Sequence, residues 1–288
     1  MTELLEISKL IRERFSCRVY RDTPIQETKR QALMEFMRTL PAGPFGSMAH
    51  FSLVSATEND SQALKGLGTY GFIQNPTGFI IGTMQESKND LEDFGYQMEQ
   101  IILFATSLQL GTCWLGGSFT RSAFARKVEA GPQDFIPAVT SIGEIIDPGE
   151  ARQGLLRRQI NADQRLPWET LFFDGDFSQP LSPEAAGTWA TPLEMVRIGP
   201  SGSNKQPWRV VKDGNQWHFF MQRSKGYREN TLTRFLGVAD IQRLDMGIAM
   251  CHFELTCCEI GLTGHWATTP LEIGPSGNQA EYIVTWEN

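Results

Sequence analysis

Two stretches of the chain are apolar around nearly every helical face. Gly95 to Trp114 reads GYQMEQIILFATSLQLGTCW, and Asp245 to Trp266 reads DMGIAMCHFELTCCEIGLTGHW. Apolar residues recur at helical spacing in both. Their all-round apolar character predicts helices buried in a core, not laid on a surface. Gly111 and Gly261 supply the expected stops. Short apolar runs flank each helix and predict strands. Phe51 to Val54 and Gly78 to Thr83 precede the first helix, and Ala138 to Ile146 follows it. Trp208 to Val211 and Trp217 to Met221 precede the second, and Tyr282 to Trp286 follows it.

The order of these elements repeats. MEFMRTLP (Met34 to Pro41) and LEMVRIGP (Leu193 to Pro200) are short helical stretches that end at a proline, and each leads through a Gly-containing loop into a strand. Each half therefore reads as helix, loop, strand, strand, buried helix, strand. This predicts an α+β fold in which helices pack on mixed sheets. Residues 1–150 form the first half and 188–288 the second. Residues 151–187, holding Pro167, Pro180 and Pro183 and a run of charges, form the connector.

The halves differ in a complementary way. The first has Arg14-Phe15-Ser16-Cys17-Arg18 near the end of its first helix, where the second has Leu171-Phe172-Phe173-Asp174-Gly175-Asp176. The second has Pro200-Ser201-Gly202-Ser203-Asn204-Lys205-Gln206-Pro207-Trp208, and the matching loop Pro41 to Ala49 keeps almost none of those polar side chains.

Composition narrows the function without choosing it. Of 288 residues, 41% are hydrophobic and 20% charged, as expected of a globular protein with a sizeable core. The net charge of −7 argues against a nucleic-acid binder. No apolar run reaches the roughly 20 residues needed to span a bilayer, and the first residues lack a signal-peptide core, so the expected location is the cytoplasm. The five cysteines and four histidines form no cluster with metal-ligand spacing. No GxGxxG follows a strand to bind NAD separately.

RxSxR followed by the aromatic Tyr20, together with PSxSNxQPW leading into a strand, resembles the two flavin-binding motifs of the FMN-dependent nitroreductases. The resemblance spans about residues 5 to 288. Members of that family are usually homodimers whose two FMN sites are each built from both subunits. The chain resembles such a dimer fused into one polypeptide, a pseudo-dimer that functions as a monomer. Because each half has lost the opposite motif, one composite site, and so one FMN, is expected.

The resemblance also implies roles. Arg14, Phe15 and Ser16 belong to the phosphate motif. Arg165 matches the family's C-terminal phosphate arginine, with Arg157 and Arg158 as alternatives. Arg18 falls near flavin N1 and the C2 carbonyl. Pro200, Ser201, Gly202, Ser203 and Asn204 line the pyrimidine and ribityl side, while Gln206 and Trp208 are structural. Gly116 and Gly117 match a segment giving backbone contacts near N5 and O4, although many members carry an acidic residue at Gly116. Thr69, Tyr70 and Gly71 border the pocket. No nucleophile or general base stands out, as fits an enzyme whose cofactor carries the chemistry. The expected function is reduction of a small electron-poor acceptor, such as a nitroaromatic or quinone, at the expense of NAD(P)H. The alternatives are a flavin-binding or storage protein with little turnover, and a structural protein whose motifs are relics.

Overall fold

The computed structural model of the chain describes residues 6–117, 119–146, 164–227, 238–268 and 280–288. In the first half, α1 (Ile7–Glu13) and α2 (Glu27–Thr39) lead into β1 (His50–Ser55) and β2 (Gly78–Thr83). The long helix α3 (Asp90–Ser107), β3 (Leu110–Leu115), α4 (Arg121–Lys127) and β4 (Val139–Glu144) follow. The described connector contributes β5 (Phe172–Asp174). The connector ends with α5 (Pro183–Ala186), and the second half then runs α6 (Ala190–Arg197), β6 (Trp208–Asp213), β7 (Gln216–Met221), α7 (Ile241–Glu259), β8 (His265–Ala267) and β9 (Glu281–Glu287).

The first sheet has the order β1-β2-β4-β3 and the second β5-β6-β7-β9-β8. Without β5, the second order repeats the first strand for strand, with every pairing antiparallel. β5 joins the outer edge of β6 in parallel, so the segment between the halves is stitched into the second sheet.

Two features depart from the sequence reading. The first buried helix ends at Ser107, not Gly111, because Gln109 adopts φ 60° and the chain reverses into β3. Leu110, Cys113 and Leu115 are buried in that strand. A strand covered on both faces lacks polar alternation, so its apolar run is read as more helix. Gly111 serves the sheet instead: a Cβ there would press on the Cys17 side chain crossing above it. The second helix stops as expected, with Gly261 at φ 77° just past its end, but the short strand β8 that follows it has no counterpart in the sequence reading.

α3 and α7 cross at the centre, each reaching into the core built on the other half's sheet. Tyr96 and Leu103 of α3 join the second core, and Leu244 of α7 joins the first. The close approach is made by glycines. A Cβ on Gly95 would run into the carbonyl oxygen of Leu244, and one on Gly247 into that of Glu92. This reciprocity pairs Gly95 with Gly247 and hence Asp93 with Asp245, a register shifted by two positions from that suggested by the terminal glycines.

Candidate functional site

The RxSxR segment leaves α1 in extended form and runs alongside β3. Ser16 bridges to Thr112 and the Cys17 N–H donates to Thr112 O at 2.8 Å. Tyr20 is wholly buried; its hydroxyl donates to Cys17 O at 2.8 Å and lies 2.8 Å from Ser141 Oγ. Burial pushes this phenol well above its usual pKa range. It is a neutral pin for the segment.

Arg14 turns inward. Its side chain is 6% exposed, with Nε 3.7 Å from Glu99 Oε1, an ion-pair distance too long for a hydrogen bond. Glu99, fully buried on α3, accepts from Trp114 Nε1 at 2.8 Å and lies 3.0 Å from Nε2 of His252 on α7. His252 Nδ1 is 2.9 Å from Met195 O. A carbonyl opposite Nδ1 requires an N–H there. The guanidinium of Arg14 is thus oriented by a network drawn from both halves.

The second loop carries strain. Ser203, Asn204 and Gln206 lie at φ 50°, 55° and 49°, left-handed conformations that cost on the order of 1 kcal/mol or more each. Hydrogen bonds hold them. The Gly202 N–H donates to Asp245 Oδ1 at 2.9 Å, and the Gln206 N–H to Ser201 Oγ at 2.8 Å. Asn204 Nδ2 donates to Gln164 O at 2.8 Å, and Gln206 Oε1 accepts from the Leu166 N–H at 2.8 Å. Arg165 donates to Ile198 O at 2.9 Å and to Asn204 Oδ1 at 3.3 Å. Arg165 and Asn204 therefore clamp the connector to the loop. Gln206 and Trp208, both buried, are structural.

A cavity of about 620 Å³ lies between the two segments, within the range of small-molecule and cofactor sites. Arg14, Phe15, Ser16 and Arg18 line it from the first half, with Gly116 and Gly117 at the end of β3. Arg165 lines it from the connector, and Pro200, Ser201, Gly202, Ser203 and Asn204 from the second half. Phe15 also packs into the core beside the first sheet. Gly116 and Gly117 follow a strand, not a helix. A side chain at Gly116 would meet Ile241 Cδ1, and one at Gly202 would meet Ile241 Cγ2. Ile241 is thus seated between two glycines, and a side chain at 116 would require the Ile241 side chain to move. Thr69, Tyr70 and Gly71 do not line the cavity, and Arg157 and Arg158 lie outside the described residues.

The sequence reading missed one wall. Ile241, Leu244, Asp245 and Ile248 form a helical stripe of α7 facing the cavity. The available signal was an aspartate at the centre of an apolar helix. Asp245 is 2% exposed, and its Oδ2 has no hydrogen-bond partner among the described residues.

At the equivalent place in the first half, the loop is closed down. Asp93 accepts from the Phe45 N–H at 2.8 Å through Oδ1 and from the Ser47 N–H at 2.7 Å through Oδ2. Gln97 holds the same loop through Pro41 O, Ser47 O and the Ala49 N–H. A Cβ on Gly43 would collide with the Asp93 side chain.

Such a two-sheet fold, with a cavity between its halves walled by the two sequence motifs, is the arrangement of a nitroreductase-type protein. A family model described as "Putative TM nitroreductase" matches residues 6–257, and the chain belongs to this family of oxidoreductases. A Thermotoga maritima protein described as a putative nitroreductase has the same fold over 100% of this chain and 95% of its own, with TM-score 0.61 and 17% identity. A Desulfovibrio desulfuricans protein described as a putative nitroreductase in complex with FMN matches at 20% identity and TM-score 0.38, covering 53% of this chain and 94% of that one. A Clostridium difficile FMN-dependent nitroreductase matches at 20% identity and TM-score 0.39, covering 48% and 87%. No curated protein matches the chain. Among the described residues, no helix is long and apolar enough to cross a membrane.

Proposed function

We propose that the chain is an FMN-dependent oxidoreductase that reduces a small electron-poor acceptor, such as a nitroaromatic or quinone, with NAD(P)H as hydride source. Residues 1–150 and 188–288 serve as the two halves and 151–187 as the connector, with one chain as the working unit. The observation that carries this reading is the meeting, in one cavity, of an inward-turned arginine and a serine from one half with a small-residue loop and an apolar helical stripe from the other. These residues fit FMN. Arg14 and Ser16 suit its phosphate, since a phosphate takes charge-assisted donors. Arg165 lines the same cavity and already donates to Ile198 O and Asn204 Oδ1. Ile241, Leu244 and Ile248 suit a flat apolar ring, and Gly116, Gly117 and Gly202 let backbone come close to it.

Bound FMN would accept hydride from the nicotinamide and pass it to the acceptor. The protein's part is to hold and orient. Arg14, fixed from behind by Glu99, anchors the phosphate end. The strained loop at 201–206 is locked by Arg165 and Asp245, so its backbone is set before any ligand arrives. Arg18, half-buried in the cavity wall, supplies a fixed positive charge to the pyrimidine edge of the ring, which gains negative charge on reduction.

The last role has a measurable consequence. Arg18→Gln keeps a donor and most of the reach but removes the charge. The reduction potential of bound FMN should fall by about 30 mV for each roughly 1.4 kcal/mol of lost stabilisation in a two-electron couple, while affinity for oxidised FMN changes less. A dye-equilibrated redox titration reads this, and an unchanged potential with intact binding removes Arg18 from the mechanism.

The function itself is tested by the visible spectrum of the purified protein and by steady-state NAD(P)H oxidation with a nitroaromatic or quinone. Bound FMN with turnover supports the reading. FMN without turnover makes the protein a flavin carrier, and absence of FMN binding overturns the reading altogether.

A further inference from the structure

The stripe of α7 that faces the cavity holds one polar residue. Ile241, Leu244 and Ile248 are aliphatic; Asp245 lies among them, 2% exposed. Its Oδ1 accepts the Gly202 N–H at 2.9 Å, and its Oδ2 has no hydrogen-bond partner among the described residues. A buried polar atom left without a partner is costly, so an uncommitted oxygen on a residue of the cavity wall points to the cavity's occupant.

The duplicated fold supplies an internal comparison. Asp93 is the counterpart of Asp245 and is likewise buried, but the loop 41–49 occupies both of its oxygens, through Phe45 N–H and Ser47 N–H. The loop 200–206 takes only one oxygen of Asp245. The second is released in the half whose loop lines the cavity.

We propose that Asp245 is a flavin-contacting residue whose Oδ2–H donates a hydrogen bond to a ring nitrogen or carbonyl oxygen of the isoalloxazine. The proposal rests on the flavin reading above. Burial pushes the Asp245 carboxyl well above the usual carboxylate range, with the Asp240 carboxylate acting in the same direction and the Gly202 N–H against them. This favours the protonated acid. Since Oδ1 accepts from Gly202, the proton belongs on Oδ2, which makes that atom a donor. Its aliphatic surroundings select a neutral acceptor on a flat ring. A phosphate oxygen would call for the cations that Arg14 and Arg165 provide elsewhere in the wall.

The test uses apoprotein titrated with FMN labelled with ¹⁵N and ¹³C in the ring, comparing wild type, Asp245→Asn and Asp245→Ala. Asp245→Ala should bind FMN about three- to tenfold more weakly, the effect of losing one neutral hydrogen bond. One ring nitrogen or carbonyl resonance should move while the others stay. Asp245→Asn keeps an acceptor for Gly202 and replaces O–H with N–H, so its affinity should stay close to wild type while the same resonance moves less. A loop displaced by loss of the Gly202 anchor would move several resonances together, in the Ala variant only. If Asp245→Ala fails to fold, Asp245→Asn decides by whether that single resonance moves. No single-resonance shift in either variant, with FMN bound, overturns the role of Asp245. If wild-type protein takes up no FMN, it is the flavin reading that fails, and this proposal falls with it.

Discussion

Replacing Arg14 and Ser16 together with alanine is expected to weaken FMN binding by two to four orders of magnitude. Hydrogen bonds to a charged group contribute roughly 1.5–3 kcal/mol each, and about 1.4 kcal/mol is a tenfold change in affinity. The structure makes this a test of binding and not of folding. Arg14 is buried against Glu99, so its loss could leave a bare carboxylate in the core. Glu99 nevertheless keeps the Trp114 indole N–H and its contact with His252. Cys17 and Tyr20 still pin the segment to β3 and β4 through Thr112 and Ser141. The double variant should therefore fold, with thermal unfolding monitored by circular dichroism as the control. Titration of apoprotein by quenching of flavin fluorescence gives the affinity. An unchanged dissociation constant in a folded variant places the phosphate elsewhere.

Gly247→Ala is expected to destabilise the protein by about 1–3 kcal/mol, the usual cost of overpacking a tight core. In an exposed helix the same change stabilises by about 1 kcal/mol, so the sign itself is diagnostic. At Gly247 the added methyl would face the Glu92 carbonyl and the Tyr96 N–H of α3. Backbone cannot rotate away as a side-chain tip can. To accommodate the methyl, α7 must move off α3, carrying Ile241, Leu244 and Asp245 away from the cavity, so FMN affinity should fall along with stability. Gly95→Ala presses on the Leu244 carbonyl from the other helix and should act in the same direction. A rise in melting temperature for either variant would show that the crossing is looser than described.

These two sites also show what the sequence discloses. The buried helices, their flanking strands and the repeat were legible because each rests on local periodicity and order. The two motifs were legible because their polar residues interrupt otherwise ordinary loops. β3 was not, since a strand buried on both faces has no alternation to betray it. Asp245 was not, because one acid in an apolar helix does not disturb its period, and what singles it out is a loop N–H from a different part of the chain. The double engagement of Arg165 and the inward turn of Arg14 towards Glu99 depend on residues distant in sequence. No pattern within the motifs encodes them.

The central claim is that the halves have diverged into one open and one closed site. On one side the loop 200–206 spares an oxygen of Asp245 beside a cavity of about 620 Å³. On the other, Asp93 and Gln97 lace the loop 41–49 down onto α3. The most direct measurement is the flavin released by heating protein of known concentration, after saturation with FMN and removal of excess. The account predicts FMN at one per chain. Two per chain, or a preference for FAD, would contradict it.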